Sequence, residues 1–320
     1  MRGWIIREFN SPPELCSLPQ PVPATGKALV RITHCALNFA DLLMLAGKYQ
    51  EMPPLPFSPG LEFSGIVAAL GPETRGPAIG SRVACYSGHG GLAEYGCVDA
   101  DALIEIPDEM AMDIAAAFPI AYGTSHLALT HKARLQPGET LFVTGAGGGV
   151  GLTAVELGRQ LGARVIATAR GKDKLDAARK AGADVTIDSE VPDMKDQLRA
   201  LGGIDVTYDA VGGALFDAAL RASRPDGRIL CIGFAGGSVP QIPANHLLVK
   251  NVSAIGFWWG GYFKSNPSLP LQSLRDLMKM FRDGKLKPLV SASYRLEDVP
   301  EALKLLKDRK ATGKIVIKLR

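Results

Sequence analysis

The sequence predicts an α/β protein in which a doubly wound parallel sheet follows a β-rich first part, and three observations carry that expectation. Length is the first: 320 residues exceed what one ordinary core accommodates and suit two domains. The second is a change of pattern. From Lys27 to about Pro107, short β-like runs are punctuated by Gly and Pro, whereas from about Pro119 onward strands alternate with helical stretches. The third is Thr140-Leu-Phe-Val-Thr-Gly-Ala-Gly-Gly-Gly-Val-Gly151, an apolar strand that runs into a glycine-rich turn and then an amphipathic helix.

In the first part the β-like runs are residues 28–32, 63–69, 82–85, 94–98 and 102–106. In the second, strands are expected at 141–144, 164–169, 185–187, 206–209, 228–232 and 252–257, which makes six in a doubly wound sheet. The helix after the glycine turn is read from Val150, Ala154, Leu157 and Leu161, spaced i, i+4, i+7 and i+11 on one face. After Trp259 the pattern leaves the sheet, passes helical stretches near 274–281 and 299–307, and closes on Ile315-Val-Ile-Lys-Leu319. That tail is expected to rejoin the first part. The expected boundaries are therefore 1–118, a dinucleotide-binding domain at 119–258, and a returning segment at 259–320.

The glycine-rich turn points to a dinucleotide. A backbone approaches a pyrophosphate closely only where side chains are absent, and the N–H groups and positive dipole end of the following helix favour that anion. In the fingerprint G-x-G-x-x-G the second and third positions are Gly148 and Gly151, while Ala146 stands at the first. About 20 residues on, where an NAD enzyme places an Asp or Glu on the ribose 2′-hydroxyl, this chain has Ala169-Arg170-Gly171-Lys172. With no acid there to repel a 2′-phosphate, Arg170 pairs with it through a fork of donors and Lys172 or Lys174 adds charge. The expected cofactor is NADPH. Ligands of open α/β sheets lie outside the carboxyl ends of the strands, so 145–151, Ala169-Arg170, Val211-Gly212 and Gly233-Phe234 are the expected contacts.

Composition narrows the partners. The 36 basic and 32 acidic residues are interspersed, leaving no basic tract for nucleic acid or anionic lipid. No apolar run reaches membrane-spanning length and the N-terminus lacks a long apolar core, so a cytoplasmic location without membrane or nucleic-acid partners is expected. Cys16, Cys35, Cys85, Cys97 and Cys231 are odd in number, scattered and without a C-x-x-C pair, and read as small core residues. His34, His89, His126, His131 and His246 show no zinc-ligand spacing, and no metal site is expected.

Four further segments give the chain a family likeness: Asn38-Phe-Ala-Asp-Leu-Leu-Met-Leu-Ala-Gly-Lys-Tyr49, Pro54-Leu-Pro-Phe-Ser-Pro-Gly-Leu-Glu62, Gly145-Ala-Gly-Gly-Gly-Val-Gly151 and Ala311-Thr-Gly-Lys-Ile-Val316. With them the sequence resembles, over nearly its whole length, the zinc-independent quinone oxidoreductases of the medium-chain dehydrogenase/reductase superfamily, the group that includes zeta-crystallin. The resemblance implies a GroES-like β-rich catalytic domain interrupted by a Rossmann domain, with the cofactor in the cleft between them. It also implies that Asn38 replaces a ligand Cys, and Leu61 a ligand His, of the zinc-dependent relatives. The segment after Asn38 then lines the nicotinamide end, Thr124 sits near the cofactor, and Gly148 and Gly149 lie under the pyrophosphate. Cofactor contacts are accordingly expected at Asn38, Thr124, Gly145, Gly147, Gly148, Gly149, Val150, Gly151, Arg170, Lys174, Val211, Gly212, Gly233, Phe234, Phe257, Trp258 and Lys314. Departures fall at Leu43, at Asp188 or Ser189, and near Trp258, where many members carry Tyr, Tyr and Arg.

The expected activity is NADPH-dependent hydride transfer to a quinone or similar conjugated carbonyl, by positioning rather than by metal. Catalytic candidates are Asn38, Asp41 and Tyr49, the last as proton donor; Tyr122, Phe234, Trp258 and Trp259 complete the candidate walls, with aromatics to stack on a flat substrate. Asp41 has a competing reading as a helix cap. The rival activities are reduction of an enone or enoyl double bond and NADPH binding without turnover. The apolar run 252–258 would be the last strand of its sheet, an edge that invites pairing with a second copy, so a homodimer is expected.

Overall fold

Among the described residues, fifteen strands fall into three sheets. The computed structural model describes residues 1–319. The chain divides into two compact units, one comprising Met1–Ile120, Leu274–Arg282 and Pro288–Arg320, the other Ala121–Ser273 and Asp283–Lys287. The first unit begins with β1 (Arg2–Ile5) and β2 (Glu14–Ser17), an antiparallel pair. It continues through β3 (Lys27–Leu37), β4 (Glu62–Leu70), β5 (Arg82–Tyr86), β6 (Tyr95–Asp99) and β7 (Leu103–Glu105).

The second unit holds β8 (Thr140–Thr144), β9 (Arg164–Ala169), β10 (Val185–Asp188), β11 (Ile204–Asp209), β12 (Ser223–Cys231) and β13 (Ser253–Gly256). Their order is β10-β9-β8-β11-β12-β13, every pair parallel, so the chain reverses direction of growth at β8. This is the doubly wound sheet that the alternation of strands and helices predicts. The central strand β8 is buried at all five positions, as a strand covered on both faces must be. Because the strands are parallel, the residues that follow Thr144, Ala169, Asp188, Asp209 and Cys231 leave the sheet at one edge.

The chain then returns to the first unit. After β14 (Val290–Arg295), β15 (Lys314–Lys318) pairs antiparallel with β3, with Ile315 opposite Leu37 and Lys318 opposite His34. The tail therefore completes a seven-stranded sheet and rejoins the first part, as expected of it. Trp4, Ile32, Phe63, Val83, Leu303 and Ile317 share its main core.

Three strands were not legible. β1 and β2 are short and partly exposed, and β14 alternates over small polar residues, Val-Ser-Ala-Ser-Tyr-Arg, that give little apolar contrast. Residues 259–273 belong to the second unit rather than to the returning segment, because Trp259 packs flat on Gly123 and edge-on against Phe263. The helix Gly149–Gln160 differs from its predicted one-sided form: residues 151–158 are all buried. Among the described residues, no helix is long and apolar enough to cross a membrane.

Candidate functional site

In the second unit the glycine turn lies at the point where strand order reverses. Gly145, at φ +64°, turns the chain sharply out of β8 in a conformation that costs glycine little. A Cβ on Gly151 would stand 2.2 Å from the Gly145 carbonyl oxygen, so the absence of a side chain lets the helix start directly against the turn. A Cβ on Gly147 would run into the Lys174 side chain, whereas one on Gly148 would meet nothing closer than 3.5 Å. Gly148 is the N-cap of the twelve-residue helix Gly149–Gln160, whose first N–H groups have no intrahelical acceptor. Gly145, Gly147, Gly148, Gly149, Val150 and Gly151 are thus brought together as one anion-ready turn.

A second turn sits beside it. Asp209, at the end of β11, accepts hydrogen bonds from Thr144 Oγ1 at 2.5 Å, from Val211 N at 3.2 Å, and from Gly212 N at 3.1 Å on both oxygens. Burial pushes its carboxyl above the usual range, against those donors. Gly145 and Val211 lie side by side, since a Cβ on Gly145 would be 3.0 Å from Val211 Cγ2. Sequence reading marks Val211 and Gly212 but misses Asp209, whose signal is an acid at the last position of an apolar strand. Gly233 and Phe234 follow β12, Phe234 with its ring exposed.

Beneath the helix start, Ser125 Oγ donates to Val150 O at 2.9 Å and stands within hydrogen-bond distance of Thr153 and Tyr208. Thr124 is buried next to this network. Tyr122 is no wall: its hydroxyl donates to Glu156 at 2.5 Å, and Glu156 also accepts from Lys287 N at 2.6 Å. Phe257 is buried against Tyr262, and Trp258 packs on Gly261.

The expectation of no acid near the 2′-position needs correction. Arg170 is exposed at the end of β9, but its Nε lies 3.0 Å from Glu190 Oε1, both side chains being 66% exposed. Asp188, at the end of β10, accepts from Gly171 N at 3.2 Å and from Glu190 N at 3.0 Å. The acid that the second strand lacks is supplied from the third, which pairs with it in register, Asp188 opposite Ala169.

In the first unit the functional candidates gather at the end of β3. Asn38 caps the helix Phe39–Leu45. Asp41, fully buried, accepts from Asn38 N at 2.7 Å and from Gly60 N at 3.1 Å, so both its oxygens hold backbone. That geometry is a capping box closed from its third residue, and it assigns Asp41 to holding the loop rather than to proton transfer. Burial pushes Asp41 up to about 7, although both N–H groups and the Lys314 ammonium pull the other way.

Lys314, from β15, is buried with Glu62. Its Nζ donates to Leu37 O at 3.0 Å, to Asn38 Oδ1 at 2.6 Å and to Glu62 Oε1 at 2.7 Å, which uses all three of its donors inside this unit. Lys314 therefore braces Asn38 from behind rather than offering a free cation to a cofactor. Asn38 Nδ2 donates to the same Glu62 oxygen at 2.9 Å, and Glu62 Oε2 accepts from Ile120 N at 2.8 Å. Tyr49 lies half-buried against the Met44, Phe57 and Leu61 cluster.

Asn38 carries a carboxamide and Leu61 an apolar side chain, with the Lys314 ammonium already seated between the Asn38 and Glu62 oxygens, a poor donor set for zinc. Among the described residues no three His, Cys, Asp or Glu side chains gather as a metal site.

Comparison with known proteins agrees with the two-part architecture. Residues 24–108 match the family described as alcohol dehydrogenase GroES-like domain, and residues 149–277 match that described as zinc-binding dehydrogenase. The quinone oxidoreductase-like protein 2 homolog of Nematostella vectensis is 44% identical over 299 residues, 92% of this chain and 82% of its own length. Quinone oxidoreductase-like protein 2 of Bos taurus is 39% identical over 94% of this chain and 87% of its own. Among solved structures, the quinone oxidoreductase of Thermus thermophilus, known also in complex with NADPH, superposes over the full length of both chains with a TM-score of 0.88 and 32% identity. The chain belongs to the quinone oxidoreductase-like family of the medium-chain dehydrogenase/reductase superfamily, a family of oxidoreductases.

Gly151→Ala should lower stability by roughly 1–3 kcal/mol, the cost of overpacking against rigid backbone, whereas Gly148→Ala should cost under about 1 kcal/mol. Urea-unfolding midpoints of the two variants check this, and equal midpoints would refute the packing argument. Asp41 binds its proton more tightly when folded, so its contribution is full below about pH 4 and is lost as pH rises through about 7. Asp41→Asn should therefore remove a downward stability slope of at most about 1.4 kcal/mol per pH unit across that window, measured by unfolding at pH 5 and pH 8.

Proposed function

We propose that this chain is an NADPH-dependent oxidoreductase that passes hydride to a quinone or a similar conjugated carbonyl without a metal ion. The observation that carries the reading is the glycine turn at the start of Gly149–Gln160, with Arg170 one strand further on. Its likeness to a quinone oxidoreductase known in complex with NADPH supports the same assignment.

The turn meets the pyrophosphate with backbone N–H groups, and Gly147 leaves Lys174 in contact with that turn. Arg170 takes the 2′-phosphate. When bound, the nicotinamide supplies the hydride. Every other task falls to the protein: Asp209 holds the Val211–Gly212 backbone beside the turn, and Lys314 and Glu62 fix the carboxamide of Asn38, the residue whose segment the family resemblance assigns to the nicotinamide end. A conjugated carbonyl is already electrophilic, so orientation and exclusion of water account for the chemistry, with Tyr49 or solvent delivering the proton. The donor set around Asn38 supports a metal-free reaction. At the outer strand β13, the neighbouring helix Ala244–Lys250 exposes Leu248 and Val249, 76% and 72% accessible, which supports self-association along that edge.

The test is the initial rate of NADPH oxidation by chelator-treated protein, with an ortho-quinone and a small enone in parallel and NADH as control. Faster quinone reduction that survives chelation supports the reading; a dominant enone rate moves the substrate class to double bonds, and silence with tight NADPH binding removes turnover. Arg170 must also exchange Glu190 for the phosphate. Arg170→Ala should raise KM for NADPH far more than for NADH, while Glu190→Gln should lower it a few-fold, the scale of about 1 kcal/mol for an exposed pair. Equal effects on both cofactors would remove Arg170 from the 2′-phosphate.

A further inference from the structure

The strongest unused feature is the buried ammonium. Lys314 and Glu62 are separated by 252 residues and lie 2.7 Å apart, with side chains 8% and 0% exposed. Long flexible cations are almost never buried unless they are paired, and this one is held by three oxygens at once, from Leu37, Asn38 and Glu62. Two of those oxygens belong to the side chain and the preceding residue of the capping segment. Asn38 is gripped from both ends: Oδ1 accepts from Lys314 while Nδ2 donates to Glu62 and, at 3.4 Å, to Ala36 O. The carboxamide consequently cannot flip without turning its amide nitrogen toward an ammonium and its oxygen toward a carboxylate.

We propose that Lys314 is a positioning residue, a tethered cation held against the Asn38 side chain, and that its task is to set the Asn38 carboxamide for hydride transfer. The proposal rests on the reading of the chain as a nicotinamide-dependent oxidoreductase. It differs from a purely structural ion pair in what it requires. The site needs a small cation with N–H donors at that point, whether or not it is attached to the chain.

Lys314→Ala leaves a cavity lined by three oxygens, which methylammonium fits and tetramethylammonium, bulky and without N–H groups, does not. The variant should melt below the wild type, and methylammonium should raise its Tm saturably while leaving the wild-type Tm unchanged. Quinone reduction should fall by about 100-fold, the scale of a misplaced active-site group, and methylammonium should restore it over the same concentration range. Lys314→Arg should retain more turnover than Lys314→Ala. Should Lys314→Ala not fold, the neutral double variant Glu62→Gln with Lys314→Met replaces the pair; it should bind NADPH with wild-type affinity and turn over slowly, with no response to methylammonium. A Tm rescue without recovery of turnover, wild-type turnover in Lys314→Ala, or full activity in the double variant would each overturn the proposal. Silence of the wild type with every acceptor would remove the functional reading and the positioning role together, while a saturable melting rescue would still establish the cation site, so the two failures are distinguishable.

Discussion

The pairing of β15 with β3 is the constraint on which the first unit depends. It carries the end of the chain back to its beginning, places Ile315 against Leu37, and in doing so delivers Lys314 to the one point where Leu37 O, Asn38 and Glu62 converge. Removing either charge would leave the other buried and unpaired, a loss of about 3–5 kcal/mol in comparable cases. The whole of a folded domain's net stability is commonly only about 5–15 kcal/mol, so this single contact couples the integrity of the unit to the geometry of Asn38. Asp41 extends the same logic one turn further, because one oxygen accepts from the N-cap N–H of Asn38 and the other from Gly60 N, which ties the helix start to the segment before β4.

The second unit solves its own problem with less charge. Its reversal of strand order leaves two turns side by side, after β8 and after β11, and both are stiffened from within rather than by ligand. Gly151 allows the helix to begin in contact with the Gly145 carbonyl, and Asp209 gathers the Val211 and Gly212 N–H groups on one carboxylate that also ties Thr144. A pyrophosphate site built on backbone donors gains from such preparation, since the donors need not be ordered when the anion arrives.

These two units were not equally legible in the sequence. The doubly wound sheet was visible because each of its strands is a short apolar run bounded by glycine or a helical period, and its six strands fall where the pattern puts them. In the first unit the signal is weak at β14, where Val290, Ala292 and Tyr294 alternate with Ser291, Ser293 and Arg295 but the small residues give little apolar contrast. Site residues divide along a different line. The glycine turn is local in sequence and could be read there, whereas Lys314 with Glu62, Tyr122 with Glu156, and Arg170 with Glu190 are partners that only the fold brings together. Read from the sequence, Lys314 is expected to meet the cofactor; three acceptors around its Nζ are a property of the sheet.

Arg170 and Glu190 show why the magnitude of such a contact matters more than its presence. Lys314 and Glu62 are a buried pair and cannot part cheaply, but Arg170 and Glu190 are two-thirds exposed, where an ion pair contributes about 0–1 kcal/mol. A 2′-phosphate carries more charge than the carboxylate and presents several acceptor oxygens to the same guanidinium fork. Under the proposed assignment, exchanging Glu190 for phosphate would cost little and return more, and the carboxylate left behind would still oppose any anion that fails to engage Arg170. In that reading the pair is a weak latch on a cofactor's adenosine end, with the acid on the third strand beside the arginine instead of replacing it on the second.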